Sequence, residues 1–318
     1  MKKIFSTISL FLFSILVGCA PTAKVPVMKP AEINLGDIRK VAIGDIKGNT
    51  GKDFADIITS KLFESGKFDV LDRENINSLL EEHKLGMSGI VDESTAMQMG
   101  KVIGASALIA GKAESKKDIK RWKGDPWRDK SGYLHEPHKI KVTVQVTSIL
   151  KVIDMTSGKI LAVKTFEKED HKTRRENDQW PAIPDVSEYE KNFANEIASE
   201  FLKMIAPYTI YVDVSFEKTK IPQGMAGIEY AKNGLWEEAL EQFKLATEAN
   251  QSDMASWHNL GVGYQYNYNF SKAIEAFKKC NILEPVGECI DNIGQVKQME
   301  TEQKKLEAQG ALISRAID

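Results

Sequence analysis

An excess of either charge is missing from this chain of 318 residues: 43 lysines and arginines stand against 45 aspartates and glutamates. A net charge of −2 raises no global field that would gather nucleic acid or an anionic membrane. A second long apolar run is missing too. The one present, Ile4 to Val17, is shorter than the ~20 residues a membrane-spanning helix needs. No nucleophile–base pair, phosphate-binding glycine loop, metal cluster or dinucleotide fingerprint stands out, so no catalytic residue, metal ligand or cofactor is expected, and no enzyme. What is present, 42% hydrophobic and 28% charged residues, is the composition of a folded protein.

The N-terminus reads as a secretory signal: Lys2 and Lys3, the apolar run, then Gly18 and Cys19. Leu16-Val17-Gly18-Cys19 resembles a bacterial lipobox, which implies cleavage before Cys19 and lipidation of that residue. Ala20 rather than Asp follows, and the resemblance to lipoprotein sorting signals then implies an outer-membrane, periplasm-facing protein, held to the membrane by its lipid anchor only. Residues 20–34 carry three prolines and no amphipathic period, so a tether is expected there.

Residues 39–46 form a short β-rich run. From Thr50 the period becomes helical, with Phe54, Ile57, Ile58 and Leu62 on one face, Thr50 and Asp53 as a capping pair, and Gly66 as the stop. A strand at 67–71 leads into Asp72-Arg73-Glu74. Side chains that start a helix diverge, so this acid–base–acid run is expected to cap a second helix rather than to catalyse. A third helix, about 94–103, precedes an apolar strand from Ala105.

These residues resemble the CsgG/HfaB family of curli-secretion lipoproteins and their relatives. The shared features are the Asp72-Arg73-Glu74-Asn75 helix start, the Glu82, Leu85, Ser88, Gly89 connection, the Gly100, Gly104, Ala105, Ser106 pattern, and the turn Thr156-Ser157-Gly158-Lys159. The resemblance covers roughly residues 37–205. It implies an α/β fold, a CsgG-like mixed sheet with packed helices, that forms a homo-oligomer. A helix at 185–205, with Tyr189, Phe193, Ile197, Phe201 and Ile205 on one face, and a closing strand at 208–216 complete a domain expected to span 35–216.

In curli-secretion channels two inserted hairpins join into a barrel. Here the equivalent segments, 116–139 and 167–179, are crowded with charge, and each Lys or Arg facing mid-bilayer lipid costs ~2–4 kcal/mol. Ile140, Val142, Val144 and Val146, alternating with polar residues, instead fit a half-buried soluble strand. Trp122, Trp127 and Tyr133 among basic residues would suit an anionic glycan or lipid headgroup; the plainer expectation is a solvated loop with its aromatics folded back on the sheet. His135 and His138 are too few for zinc.

Gly227, Tyr230, Ala239, Phe243 and Ala246 recur 34 residues later as Gly261, Tyr264, Ala273, Phe277 and Cys280, joined by Trp257, Leu260 and Pro285. That spacing and framework resemble tetratricopeptide (TPR) repeats. The resemblance implies an all-α helical-hairpin module at 220–300, capped by the helical stretch from Glu288, with a polar helical tail at 301–318. Repeat stacks bind protein partners. Cys280 and Cys289 lie nine apart. Either they bridge or both are small buried thiols, and the thiols are expected, because the turn would hold their Cα atoms beyond about 7 Å. The expectation is an envelope assembly or scaffold protein, or one associated with secretion, with no nucleic-acid partner. A self-assembling export channel is the alternative.

Overall fold

The computed structural model of the chain describes residues 20–71 and 97–311, apart from Asp37, Met99, Ile103, Ala105 and Val286. Cys19, the signal segment, the helix start at Asp72 and the connection at Glu82–Gly89 therefore lie outside the described residues. The chain divides into two compact units: an α/β unit of residues 29–208 with the stretch from Lys305, and a unit of residues 20–28 and 209–304 built mostly of helices.

The first described element is the strand β1 (Thr22–Lys29), where a tether was expected. Ala23, Val25 and Val27 are buried, while Lys24 and Pro26 between them face outward. A two-residue period of burial makes this segment a strand, and Pro26 is tolerated because a two-stranded sheet leaves each strand a free edge. Its partner is the segment expected to close the first domain, β9 (Tyr208–Ser215). Both expectations are corrected: the N-terminal segment and β9 belong to the helical unit, so the α/β unit ends near residue 208.

The α/β unit holds a five-stranded sheet of order β3-β2-β4-β7-β8. Its members are β2 (Lys40–Lys47), β3 (Asp69–Leu71), β4 (Ala107–Lys123), β7 (Pro137–Asp154) and β8 (Ile160–Asn177). β2 runs parallel to β3 and β4, and β7 is antiparallel to β4 and β8. Helix α1 (Gly51–Glu64) buries Phe54, Ala55, Ile58 and Leu62 on the sheet, as its period predicts. Thr50 sits at its N-cap, but its side chain makes no capping bond, and its Oγ1 is buried without a partner. Gly66 follows with φ +62°, a left-handed turn that glycine adopts without strain. Helix α2 (Ser187–Ile205) adds Phe193, Ile197, Ala198, Phe201, Met204 and Ile205 to the same core.

The charged segments 116–139 and 167–179 are mostly strand, not loop. β4, β7 and β8 are 17, 18 and 18 residues long; the β4–β7 register runs to Lys123↔His138, and that of β7 and β8, after one shift between Val152 and Ile153, runs to Pro137↔Asn177. The distal residues of β4 and β8 are exposed, yet Ile140, Val142, Val144 and Val146 of the central strand stay buried. Long Lys and Arg stems on the flanking strands can shelter that apolar stripe while their charges remain wet. Val186, returning from the ribbon's end, packs into the same cluster. Two short strands, β5 (Trp127–Arg128) and β6 (Leu134–His135), form the ribbon's tip.

The second unit carries helices α3 (Pro222–Lys232), α4 (Trp236–Ala249), α5 (Met254–Tyr266), α6 (Phe270–Leu283) and α7 (Gly287–Ala308). Asp253 and Asn269 cap α5 and α6 through side-chain acceptors for the backbone N–H groups of Ser256 and Lys272. Val214 and Phe216 share this unit's core with Phe243, Phe277 and Val296.

Candidate functional site

Most of the residues that recur at 34 lie in the core of the helical unit. Ala239, Phe243, Ala246, Ala273, Phe277 and Cys280 are fully buried, with Leu260 nearly so. A Cβ built on Gly227 would lie 2.6 Å from the Phe243 ring, and one on Gly261 would lie 2.7 Å from the Phe277 ring. Each glycine thus admits a phenylalanine 16 residues further on, in both copies. Contacts also recur at the repeat spacing. His258 Nε2 meets Asn292 Nδ2 at 3.0 Å, and Gln265 Nε2 donates to Met299 Sδ at 3.1 Å. Both pairs are 34 residues apart and lock α5 to α7. Pro285 follows the end of α6, where its missing N–H breaks no helical bond.

Three framework aromatics, Tyr230, Trp257 and Tyr264, are not fully buried. Tyr230 is 39% exposed, and Trp257 and Tyr264 are half-buried. Trp257 Nε1 donates to the Gln251 carbonyl at 2.8 Å. Tyr264 lies under two ammonium groups, Lys244 Nζ from α4 and Lys272 Nζ from α6, at 5.8 and 5.7 Å from its ring centre. Trp257, Tyr264, Lys244 and Lys272 line a groove of 730 Å³ between α4 and α6. Burial, with Glu275 nearby, raises the Tyr264 pKa above its ordinary value.

Cys280 and Cys289 form a disulfide, which corrects the expectation of two thiols. Their Cα atoms are 6.3 Å apart, inside the range a bridge can span, because the turn at Pro285 brings the start of α7 back over the end of α6. Sequence reasoning also missed Asn259, whose amide pairs with both backbone groups of Glu217 at 2.8 Å. An asparagine inside a helix carries no local signal for a partner 42 residues away.

At the ribbon tip the aromatics are not folded back: Trp122, Trp127 and Tyr133 are 39%, 42% and 65% exposed. His135 is the organising residue. Its Nδ1 is 2.7 Å from Asp178 and its Nε2 3.4 Å from Asp129, with the Trp127 ring stacked 4.8 Å away. Hydrogen bonding to Asp178 is the main cause that raises the His135 pKa, with Asp129 adding to it. The pKa of Asp178 is lowered, first by the Glu136 N–H and then by His135; that of Asp129 is lowered chiefly by the Tyr133 N–H. His138 is buried, meets Trp180 edge-on at 4.7 Å and has its Nδ1 3.0 Å from the Glu136 carbonyl oxygen. Among the described residues no group of three or more His, Cys, Asp or Glu could hold a metal ion. Among them, too, no helix is long and apolar enough to cross a membrane.

The family model for the curli production assembly/transport component CsgG matches residues 38–203. None of the curated proteins matches the chain. Among solved structures, the LpoB C-terminal domain from Salmonella enterica is 10% identical, with 42% of this chain and 84% of that one covered and a TM-score of 0.27. The PelC dodecamer from Paraburkholderia phytofirmans is 16% identical, with 58% and 98% covered and a TM-score of 0.23.

Proposed function

The chain belongs to the CsgG family, and from that premise we propose that it is a lipoprotein of the bacterial outer membrane that works in assembly or secretion. It is anchored through acylated Cys19 and faces the periplasm. Its α/β unit associates with further copies of itself. Its helical unit is a tetratricopeptide-like module that recruits partner proteins, and the chain catalyses no reaction and needs no cofactor. The observation that carries the recruiting role is the repeated packing of Gly227 on Phe243 and Gly261 on Phe277. Stacked helical hairpins of this kind leave extended surfaces for partners.

A self-assembling export channel is the second reading, favoured by the family itself. The register of the ribbon weighs against it, since Lys120, Lys139, Lys141 and Arg175 would have to face lipid or a lumen while Arg121 and Arg174 took the opposite side. Two measurements test the choice. A protein that co-purifies from gently solubilised envelopes with the wild-type chain, and is lost from Trp257→Ala/Tyr264→Ala, supports recruitment; recovery of this chain alone from both would sink it. Reproducible conductance steps from the purified chain in planar bilayers would decide for the channel.

A further inference from the structure

Across the long ribbon, Lys120 stands directly opposite Lys141, and Lys139 directly opposite Arg175. Like charges in cross-strand register work against a sheet, so this placement is unfavourable to the fold and is explained if something anionic neutralises it. Alternation puts all four on one face, and Trp122, the other neighbour of Lys139, shares that face. The face is open, with Lys120, Trp122 and Arg175 exposed. Lys139, Lys141 and Arg175 form no ion pair among the described residues, and Lys120 reaches Asp118 only at 3.9 Å. Further back on the same face the charge is mixed, with Asp118, Glu167 and Glu169 around Lys116. The positive charge is therefore gathered at the distal end, next to the exposed Trp127, Tyr133 and Leu134 of the tip.

Basic side chains beside exposed tryptophan and tyrosine suit a lipid–water interface, where the ring bodies are sheltered and their polar edges stay wet. A strand face without a cleft also meets a planar surface better than a single chain. We propose that the distal end of the β4-β7-β8 ribbon is a peripheral docking face for an anionic phospholipid surface. The lysines and Arg175 neutralise headgroup phosphates, and Trp122 lies at the interface. Neither the acyl anchor nor the helical unit enters this contact, so it stands or falls apart from partner recruitment.

The test uses the non-acylated chain beginning at Ala20, sedimented with vesicles of phosphatidylglycerol or of phosphatidylcholine. Binding is expected to phosphatidylglycerol alone and to fade at high salt. Each basic residue near an anionic surface is worth about fivefold in affinity, so Lys139→Gln/Lys141→Gln should weaken binding about twenty-five-fold. The same variant should raise Tm, because it removes the repulsion, and Lys139→Arg/Lys141→Arg should keep binding. Unchanged binding by the glutamine variant, a lowered Tm in it, or equal binding to phosphatidylcholine would overturn the proposal. So would capture by soluble dextran sulfate without binding to vesicles, which would make the face a site for soluble polyanions.

Discussion

The disulfide between Cys280 and Cys289 ties the last turn of α6 to the first turn of α7 across a Cα separation of 6.3 Å. Beside it, buried His258 is held by Asn292 of α7 and packs edge-on to Phe277 of α6 at 5.7 Å. The start of the last helix is therefore secured by a covalent bond and by a buried polar pair. In the chain-entropy view, closing so short a loop stabilises by about 2–3 kcal/mol. Cys280→Ser/Cys289→Ser should lower the denaturation midpoint accordingly, and denatured wild-type protein should take up alkylating reagent at these positions only after reduction. Labelling without reductant would show two thiols instead.

Gly261→Ala places a methyl group 2.7 Å from the Phe277 ring, which cannot move without disturbing the core around it. Overpacking of this order costs about 1–3 kcal/mol. Denaturation followed by the helical circular-dichroism signal should show the loss, and Gly261→Ala/Phe277→Leu should recover part of it. If Gly261→Ala were as stable as wild type, the close glycine–phenylalanine fit would be wrong.

The ribbon tip should respond to pH in a defined direction. His135 has a raised pKa, so its ion pairs contribute fully below its ordinary value of about 6.5 and are lost as pH rises through the raised one. Asp129 and Asp178 have lowered pKa values, so their contribution is present above the ordinary carboxylate range and is lost as pH falls through the lowered values. The tip is therefore most ordered between those limits. Nuclear magnetic resonance titration of the His135 ring should show a midpoint above about 6.5, and Asp178→Asn should bring it down. A midpoint that Asp178→Asn leaves in place would remove the pair from consideration.

Anchoring can be read directly from the mature N-terminus. Mass analysis should find acylated Cys19, and Cys19→Ala should release the chain from the membrane or stall its processing. An unmodified terminus at Ala20 would count against the lipobox.

Much of the architecture was written locally. Phe54, Ile58 and Leu62 gave α1 its buried face, and Phe193, Ile197 and Phe201 did the same for α2. The family resemblance read over roughly 37–205 coincides with the matched region, 38–203. The ribbon was only half legible. The alternation at Ile140–Val146 marked β7, but the distal parts of β4 and β8 bury little and so carry no hydrophobic period. Their strand character comes from hydrogen bonding to β7, which no local pattern records. β1 was not legible because Pro26 within it, and Pro21 and Pro30 beside it, mask the two-residue period of Ala23, Val25 and Val27.

By itself the sequence determined the buried faces of α1, α2 and β7 and which residues repeat at 34, because side-chain period and small-residue spacing are local properties of the chain. Tertiary structure alone decided what those segments face. It paired β1 with β9, set His135 between Asp129 and Asp178, and brought Lys139 opposite Arg175. Each of these depends on register and on contacts between residues distant in the chain. A shift of a strand by one residue would leave its composition unchanged and turn every one of its side chains to the other face.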